Sequence, residues 1–229
     1  MSAARSPIKT VVFDFDGVLA DTEGLHLKAF QHVLGARGWQ LDEAEYFDQY
    51  LGFDDRGLIV AYGADHDLPF TGTDIATLVA EKGRVFASFV ESGDVLFPGA
   101  KACVEQLAAH FSLGIASGAL KDEIVGILRG AKLDSYFPVI VAADDVSSCK
   151  PSPEPYLTAA QRLGVAPAAC VAIEDSVPGL AAARAAGMRT IGLTTTSPAA
   201  QLATADRVID RLDELSPDFV AALGSGAAV

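Results

Sequence analysis

Short apolar runs that alternate with helix-length amphipathic patterns constrain this chain more than any other feature. From about Phe97 onward, candidate strands at 112–116, 139–142, 171–173, 190–193 and 207–209 are separated by candidate helices at 99–110, 121–131, 154–163, 179–186 and 198–203. Elements alternating in this way build βαβ units, and βαβ units build a parallel sheet with helices on both faces. The apolar, β-branched run at 10–15 supplies the first strand of the same sheet. The fold class expected is α/β, a doubly wound parallel sheet.

Residues from roughly Asp21 to Ser92 break the alternation and contain no convincing strand. Apolar positions recur there at helical spacing: Leu25, Ala29, Phe30, Val33 and Leu34, then Leu58, Ile59 and Tyr62, then Ile75, Leu78, Val79, Val85, Phe86 and Phe89. This reads as an α-helical cap inserted after the first strand, with a re-entry linker rich in Gly, Asp and Pro at 91–98. The division expected is a core of 1–20 and 93–229 and a cap of 21–92. A helical insert beside the catalytic end of a sheet suggests a lid that closes over the substrate, with a rigid structural insert as the alternative. Trp39 and the cap phenylalanines read as core, and the tail 224–229 reads as frayed.

The first strand ends in Asp14-Phe15-Asp16-Gly17-Val18. In a strand, residues i and i+2 share a side, so both carboxylates emerge together at the carboxyl end, where open α/β sheets place their sites. Neighbouring carboxylates raise each other's pKa unless a cation or proton intervenes. A divalent metal is the natural cation, and a nucleophile beside an acid/base is the natural use. A strand followed by an Asp-rich turn is the plainer reading. A calcium loop is disfavoured because Asp16-Gly17 runs straight into Val18-Leu19.

Three more polar sites fall at expected strand ends. Ser117-Gly118 precedes a helix, which suits a phosphate or an ordinary cap. Lys150 lies in the proline-stiffened stretch Lys150-Pro151-Ser152-Pro153, where it can neutralise an anion or sit as a loop lysine. Glu174-Asp175-Ser176 is a second acidic pair, suited to Mg²⁺ or to helix capping. Four such sites at the ends of successive strands carry more weight together than any does alone.

These residues resemble the haloacid-dehalogenase-like hydrolase superfamily, in its helical-cap subgroup of small-molecule phosphatases and β-phosphoglucomutase-like enzymes. The four motifs match Asp14-Phe15-Asp16-Gly17-Val18, Ser117-Gly118, Lys150-Pro151 and Glu174-Asp175-Ser176, in order and across nearly the whole chain. The resemblance implies a Rossmann-like catalytic core and a phosphoric monoester hydrolase acting on a small phosphorylated metabolite. Asp14 would be the nucleophile, forming an aspartyl-phosphate, and Asp16 the acid/base. Mg²⁺ would bind Asp14, the Asp16 backbone carbonyl, Glu174 and Asp175, while Ser117, Gly118 and Lys150 would hold the phosphoryl group. Thr22, His26, Gly52 and Arg56 match the cap side of the substrate site.

A phosphosugar mutase is the alternative within the family. Mutases carry a lysine where Leu51 stands, before Gly52, and favour asparagine where Lys121 stands. A dehalogenase is disfavoured by the presence of Asp16. A non-catalytic binding module on the same fold is the alternative from another class, and it has no need of Asp16.

The formal net charge of −13 argues against a nucleic-acid partner and an anionic membrane surface. The three cysteines, Cys103, Cys149 and Cys170, are too few and too scattered for a disulfide scaffold and suit a reducing, cytoplasmic setting. Cys103 and Cys170 read as core. No apolar run is long enough to span a membrane. The partner expected is a small-molecule phosphate ester bound by a monomer.

Overall fold

The computed structural model describes residues 6–90 and 95–225. Six strands form one parallel sheet: β1 Thr10–Phe13, β2 Ser112–Ala116, β3 Val139–Val141, β4 Cys170–Glu174, β5 Arg189–Leu193 and β6 Arg207–Ile209. Their order is β3-β2-β1-β4-β5-β6. The chain builds outward from β1 to one side through β2 and β3. It then returns to the other side of β1 with β4, so β1 and β4 flank the point where the winding reverses. Sheets of this kind leave a crevice there, beyond the carboxyl ends of the strands.

Side chains alternate across the sheet and find different partners on each face. Val11 and Phe13 of β1, with Leu113, Ile115, Val171 and Ile173, pack on helices α5 Ala100–Ala108, α6 Lys121–Ala131 and α9 Pro217–Ser225. Val12, Ala116, Val141 and Ala172 pack on α7 Glu154–Arg162 and α8 Val177–Ala185. Central strands covered on both faces need near-continuous apolar sequence, which is why β1 reads Thr-Val-Val-Phe.

Between β1 and β2 lie α1 Glu23–Gly35, a three-residue turn α2 Glu43–Glu45 continuing as a π-helix over Tyr46–Tyr50, α3 Asp55–Asp65 and α4 Gly72–Val90. They share a core of their own, with Phe30, Val33, Leu34, Leu58, Ile59, Tyr62 and Leu78 buried together. Asp54 caps α3 by accepting from Gly57 N at 2.5 Å. Thr71 and Asp74 cap the start of α4 reciprocally, Asp74 N donating to Thr71 Oγ1 at 3.2 Å and Thr71 N to Asp74 Oδ2 at 2.8 Å. The chain leaves and re-enters the sheet unit side by side: Asp21 N donates to Val95 O at 2.7 Å and Phe97 N to Leu19 O at 3.0 Å.

The structure corrects several expectations. Strand β1 stops at Phe13 rather than Phe15, because the N–H groups of Val18, Leu19 and Ala20 all turn back onto Phe15 O. The segment 198–203 is a run of turns, not a helix. Its hydrogen bonds, such as Gln201 N to Pro198 O, close three-residue steps only. Gly224 belongs to α9 instead of a frayed tail, and a Cβ there would press on Ser6 and Ile8. Residues 226–229 and the expected 92/93 domain boundary lie outside the described residues. Trp39 packs on Phe70, ring centroids 5.0 Å apart, but Phe47 and Phe53 are 38% and 54% exposed and are not core. Among the described residues no helix is long and apolar enough to cross a membrane.

Phe13 is fully buried and meets Phe137 edge-on, centroids 6.0 Å apart at 87°. Phe13→Ala is expected to lower unfolding free energy by about 3–5 kcal/mol, because the site lies at the sheet centre and cannot collapse. Chemical denaturation followed by circular dichroism measures it, and a loss under 1 kcal/mol contradicts the packing described.

Candidate active site

The residues expected at strand ends converge beyond β1 and β4. Asp14 N continues the ladder by donating to Ile173 O at 2.9 Å, which fixes the first carboxylate at the winding reversal. Asp14 Oδ1 accepts from Phe15 N at 2.7 Å and lies 2.9 Å from Lys150 Nζ. The same ammonium lies 2.6 Å from Glu174 Oε1. Carboxylate oxygens of Asp14, Glu174 and Asp175 all fall within 4.8 Å of one another, and all three residues are buried.

Two glycines make room for this crowding. Gly17 takes φ +73°, and a Cβ there would collide with the Asp175 carboxylate and Thr196 Oγ1. A Cβ on Gly179, in the first turn of α8, would collide with the Glu174 carboxylate. Glu174 is fully buried and saturated. Tyr156 OH donates to Oε1 at 2.6 Å, and Ser176 Oγ and N donate to Oε2 at 2.9 and 3.3 Å. These bonds tie Glu174 to Lys150 and to the first turn of α8.

Charge sets the chemistry of this group. Burial and then the Glu174 charge push the Asp14 pKa well up, with Lys150 opposing. Burial and Glu174 also push Asp175 up to about 8, against a hydrogen bond from Thr196 and the charge of Lys150. Burial opposes the charge on Lys150, yet Asp14 and Glu174 raise its pKa overall. Three carboxylates around one ammonium leave a net negative pocket, and hard oxygen donors of this kind fit a divalent cation such as Mg²⁺.

Asp16 sits in a different environment. Burial pushes its pKa up, but His26 and Thr22 outweigh burial and hold it below the usual carboxylate range. Thr22 Oγ1 donates to Asp16 Oδ1 in a short bond, and His26 Nε2 lies 3.4 Å from the same oxygen. The other ring nitrogen, Nδ1, lies 2.6 Å from Lys82 Nζ. Burial and the Lys82 charge oppose a charged ring, yet Asp16 and Asp55 raise the His26 pKa overall, so the imidazole is suited to carry a proton on Nε2 towards Asp16. Lys82 is fully buried. Its ammonium lies 2.9 Å from Asp55 Oδ1 on α3, 3.2 Å from Glu123 Oε1 on α6, and 4.7 Å from the Phe86 ring centroid. Burial lowers the Lys82 pKa, and Asp55 and Glu123 more than restore it.

The remaining expected residues separate. Ser117 is buried, its Oγ 3.5 Å from Asp16 Oδ2 and accepting from Ala119 N at 3.1 Å, and Gly118 beside it lines the cleft. Gly52 lines the cleft at φ +89°, where a Cβ would press on Pro178. Arg56 is exposed and does not line the cleft. Cys149 lines it, and burial followed by a hydrogen bond to Asp54 pushes its thiol up to about 12, so it is not a ready nucleophile.

Sequence reasoning missed Lys82, Glu123, Asp55, Glu23 and Tyr156. For Lys82 the signal was present: it stands at helical spacing between Leu78 and Phe86, on the apolar stripe of α4. A lysine on such a stripe requires buried partners. Nothing in the sequence pairs it with Glu123, which is far along the chain.

The cleft enclosed by these groups measures about 260 Å³. A larger groove of about 1210 Å³ lies between α4, α5 and α6, lined by Phe86, Leu96, Phe97 and Ile127 among others. Its acidic residues, Glu105, Asp122 and Glu123, do not converge as Asp14, Glu174 and Asp175 do among the described residues, so size does not mark the chemistry here.

Comparison with known proteins agrees with this geometry. The sequence profile of the haloacid dehalogenase-like hydrolases matches residues 11–193. Protein CbbY of Rhodobacter capsulatus is 33% identical over 191 residues, covering 80% of this chain and 84% of that protein. The validoxylamine A 7'-phosphate phosphatase of Streptomyces hygroscopicus subsp. limoneus is 32% identical over 209 residues, covering 90% and 95%. The crystal structure of a CbbY mutant from Rhodobacter sphaeroides in complex with xylulose-(1,5)bisphosphate superposes with a TM-score of 0.83 at 31% identity, covering 91% of this chain and 96% of that one.

Two substitutions test the site's construction. Lys82→Met should destabilise the protein by about 3–5 kcal/mol, since it strands the Asp55 and Glu123 carboxylates. Urea denaturation measures it, and a stability equal to wild type would mean those carboxylates are not compensated by Lys82. Gly179→Ala should leave a folded protein whose Asp14, Glu174 and Lys150 no longer meet. Calorimetric titration with Mg²⁺ should show metal affinity reduced by about 10–100-fold, and unchanged affinity would remove Gly179 from the cradle.

Proposed function

The chain belongs to the haloacid dehalogenase-like hydrolase family, and from that premise we propose that it is a Mg²⁺-dependent phosphatase of a small phosphorylated metabolite, a sugar or organic-acid phosphate. The observation that carries the proposal is the division of labour between two neighbouring aspartates. Asp14 lies against Lys150 and two more carboxylates, and Asp16 lies against Thr22 and His26. Two carboxylates in unlike environments are the arrangement by which nucleophile and acid/base are kept apart.

Asp14 is the nucleophile. Phe15 N and Lys150 both engage Oδ1, so Oδ2 is the oxygen assigned to attack. The Asp14 Oδ2–phosphorus bond forms as the ester P–O bond breaks, giving an aspartyl-phosphate. Asp16, held as a carboxylate in the free protein, takes up a proton from solvent as the anionic substrate enters and delivers it to the departing oxygen. Its carboxylate then takes a proton from water, whose oxygen attacks phosphorus, releasing inorganic phosphate and restoring Asp14. Lys150, Ser117 and the backbone at Gly118 hold the phosphoryl oxygens, where charge is densest in the transfer. Mg²⁺ held by Asp14, Asp175, the Asp16 carbonyl and, at one remove, Glu174 would neutralise the phosphate against Asp14.

We place the division at 1–20 and 93–229 for the catalytic core and 21–92 for the cap. Thr22 and His26, from the cap side, engage Asp16 directly, which is the reason to read the insert as a lid that completes the acid/base. One chain supplies every group named, so a monomer suffices, and three unpaired cysteines suit a reducing cytoplasm. The mutase alternative gains nothing from the geometry. Leu51 lines the cleft where a lysine would be needed, and the Lys121 ammonium is held at 3.2 Å by Asp145.

Phosphate release from a panel of phosphorylated metabolites tests the reading. Asp14→Asn should abolish turnover, EDTA should do the same reversibly, and Asp16→Ala should lose roughly 10²–10⁴-fold in kcat. Substantial turnover by Asp14→Asn would remove the nucleophile assignment. Stability offers a second readout. A carboxyl whose pKa is raised by folding disfavours the folded chain once ionised, so Asp175 should make stability fall as pH rises from its ordinary 3.8 towards about 8. A cation that favours the ionised form cancels that fall. The melting temperature in EDTA should therefore be lower at pH 8 than at pH 5, and Mg²⁺ should raise it more at pH 8. An equal increment at both would argue against these carboxylates as the metal site.

A further inference from the structure

The two walls of the cleft differ in charge. The core wall presents Lys150, the Ser117 hydroxyl and Gly118, which together hold one phosphoryl group. The cap wall presents Glu23, Asp54 and Asp55 together with the rings of Tyr46, Phe47 and Phe53. Among the described residues that wall has no Lys or Arg, and the undescribed 91–94 contain none in sequence. Its single basic group, His26, is committed through Nε2 to Asp16 and through Nδ1 to Lys82. Lys82 itself is enclosed and tied to Asp55 and Glu123. Arg56 is exposed and is not part of the lining.

A helix N-terminus could substitute for a cation, but the one on this wall is taken. The α3 N-terminus is capped by the Asp54 carboxylate, which accepts from Gly57 N at 2.5 Å, and Asp55 follows it. A second phosphate on the substrate would therefore meet the Asp54 carboxylate and find no free cation, since the Lys82 charge is already spent on Asp55 and Glu123. Hydroxyl donors meet those same carboxylates favourably, and the exposed faces of Phe47 and Phe53 offer apolar contact to a carbon skeleton. The cleft of about 260 Å³ also admits only a small leaving group.

We infer that the cap wall selects monophosphate esters of neutral polyols, such as sugars and cyclic polyols, and rejects substrates that carry a second anion. The inference rests on the phosphatase reading and narrows it to a substrate class. Rejection here works on two counts: every cation and helix N-terminus on the wall is already committed, and the Asp54 carboxylate adds like charge where a second phosphate would sit.

The test compares matched pairs with the Mg²⁺-loaded enzyme: fructose 1-phosphate against fructose 1,6-bisphosphate, and glucose 6-phosphate against glucose 1,6-bisphosphate. The monophosphate of at least one pair should be preferred by about 100-fold or more in kcat/KM, the scale expected of desolvated like charges. Asp54→Asn keeps the helix cap while removing its charge, and Phe53→Lys adds a cation at an exposed position. Each should shift the ratio towards the bisphosphate by about tenfold. A bisphosphate used as well as its monophosphate partner overturns the inference, as does a ratio that neither variant moves. Calorimetric binding of the same pairs to Asp14→Asn reads the ratio without turnover. If no ester is hydrolysed the phosphatase reading falls, and the binding ratio still decides whether the cap wall rejects a second anion.

Discussion

The site depends on one electrostatic constraint: three buried carboxylates must share the space beyond β1 and β4 with a single ammonium. Lys150 touches Asp14 and Glu174 at once, so it neutralises the pair that the sheet forces together. Asp175 is left to crowd the other side, with its pKa pushed up to about 8. The surrounding sequence serves this arrangement. Gly17 and Gly179 leave out the Cβ atoms that would collide with Asp175 and Glu174, and Tyr156 and Ser176 saturate the hydrogen bonds of the buried Glu174 carboxylate. An isolated buried carboxylate would protonate or unfold its surroundings. Clustered around a lysine beside two more carboxylates, it joins a group of oxygen donors that could hold a divalent cation.

The winding of the sheet explains why the cluster forms where it does. β1 lies centrally between β2 and β4, so the residues following it reach the ends of both neighbours. Asp14 borrows a hydrogen bond from Ile173 of β4, and Ser117 one from Val141 of β3. Groups far apart in sequence are thereby fixed to the ends of neighbouring strands.

Much of this was legible in the chain. Five of the six strands lie where the apolar runs place them to within a residue at each end, because buried central strands tolerate little but apolar residues. The acidic pairs stood out because they end those runs. What was not legible has physical reasons. The 198–203 segment has the composition of a helix, yet the chain there must pass from β5 to β6 in a short span, and turns do that while an extended helix would not. Phe47 and Phe53 have the composition of core, but a cleft needs exposed apolar surface. Lys82 was visible as an anomaly on an apolar stripe. Its partners Asp55 and Glu123 come from separate elements, and only the fold brings them together.

Lys82 also shows how the insert and the sheet unit are tied energetically. It is carried by α4, yet one partner lies on α3 and the other on α6, while its ammonium faces His26 and through it Asp16. A buried cation with two carboxylates holds together only when all three groups are in place, because each alone would be an unpaired charge in a poorly polarisable interior. The contact between α4 and α6 is therefore held by a cluster of three charges, none of which is stable in that interior alone. His26 extends the cluster to Asp16, whose pKa it and Thr22 hold below the usual carboxylate range. Asp16 is thus linked to α4 and α6 through two side chains, His26 and Lys82, although all four groups come from different parts of the chain.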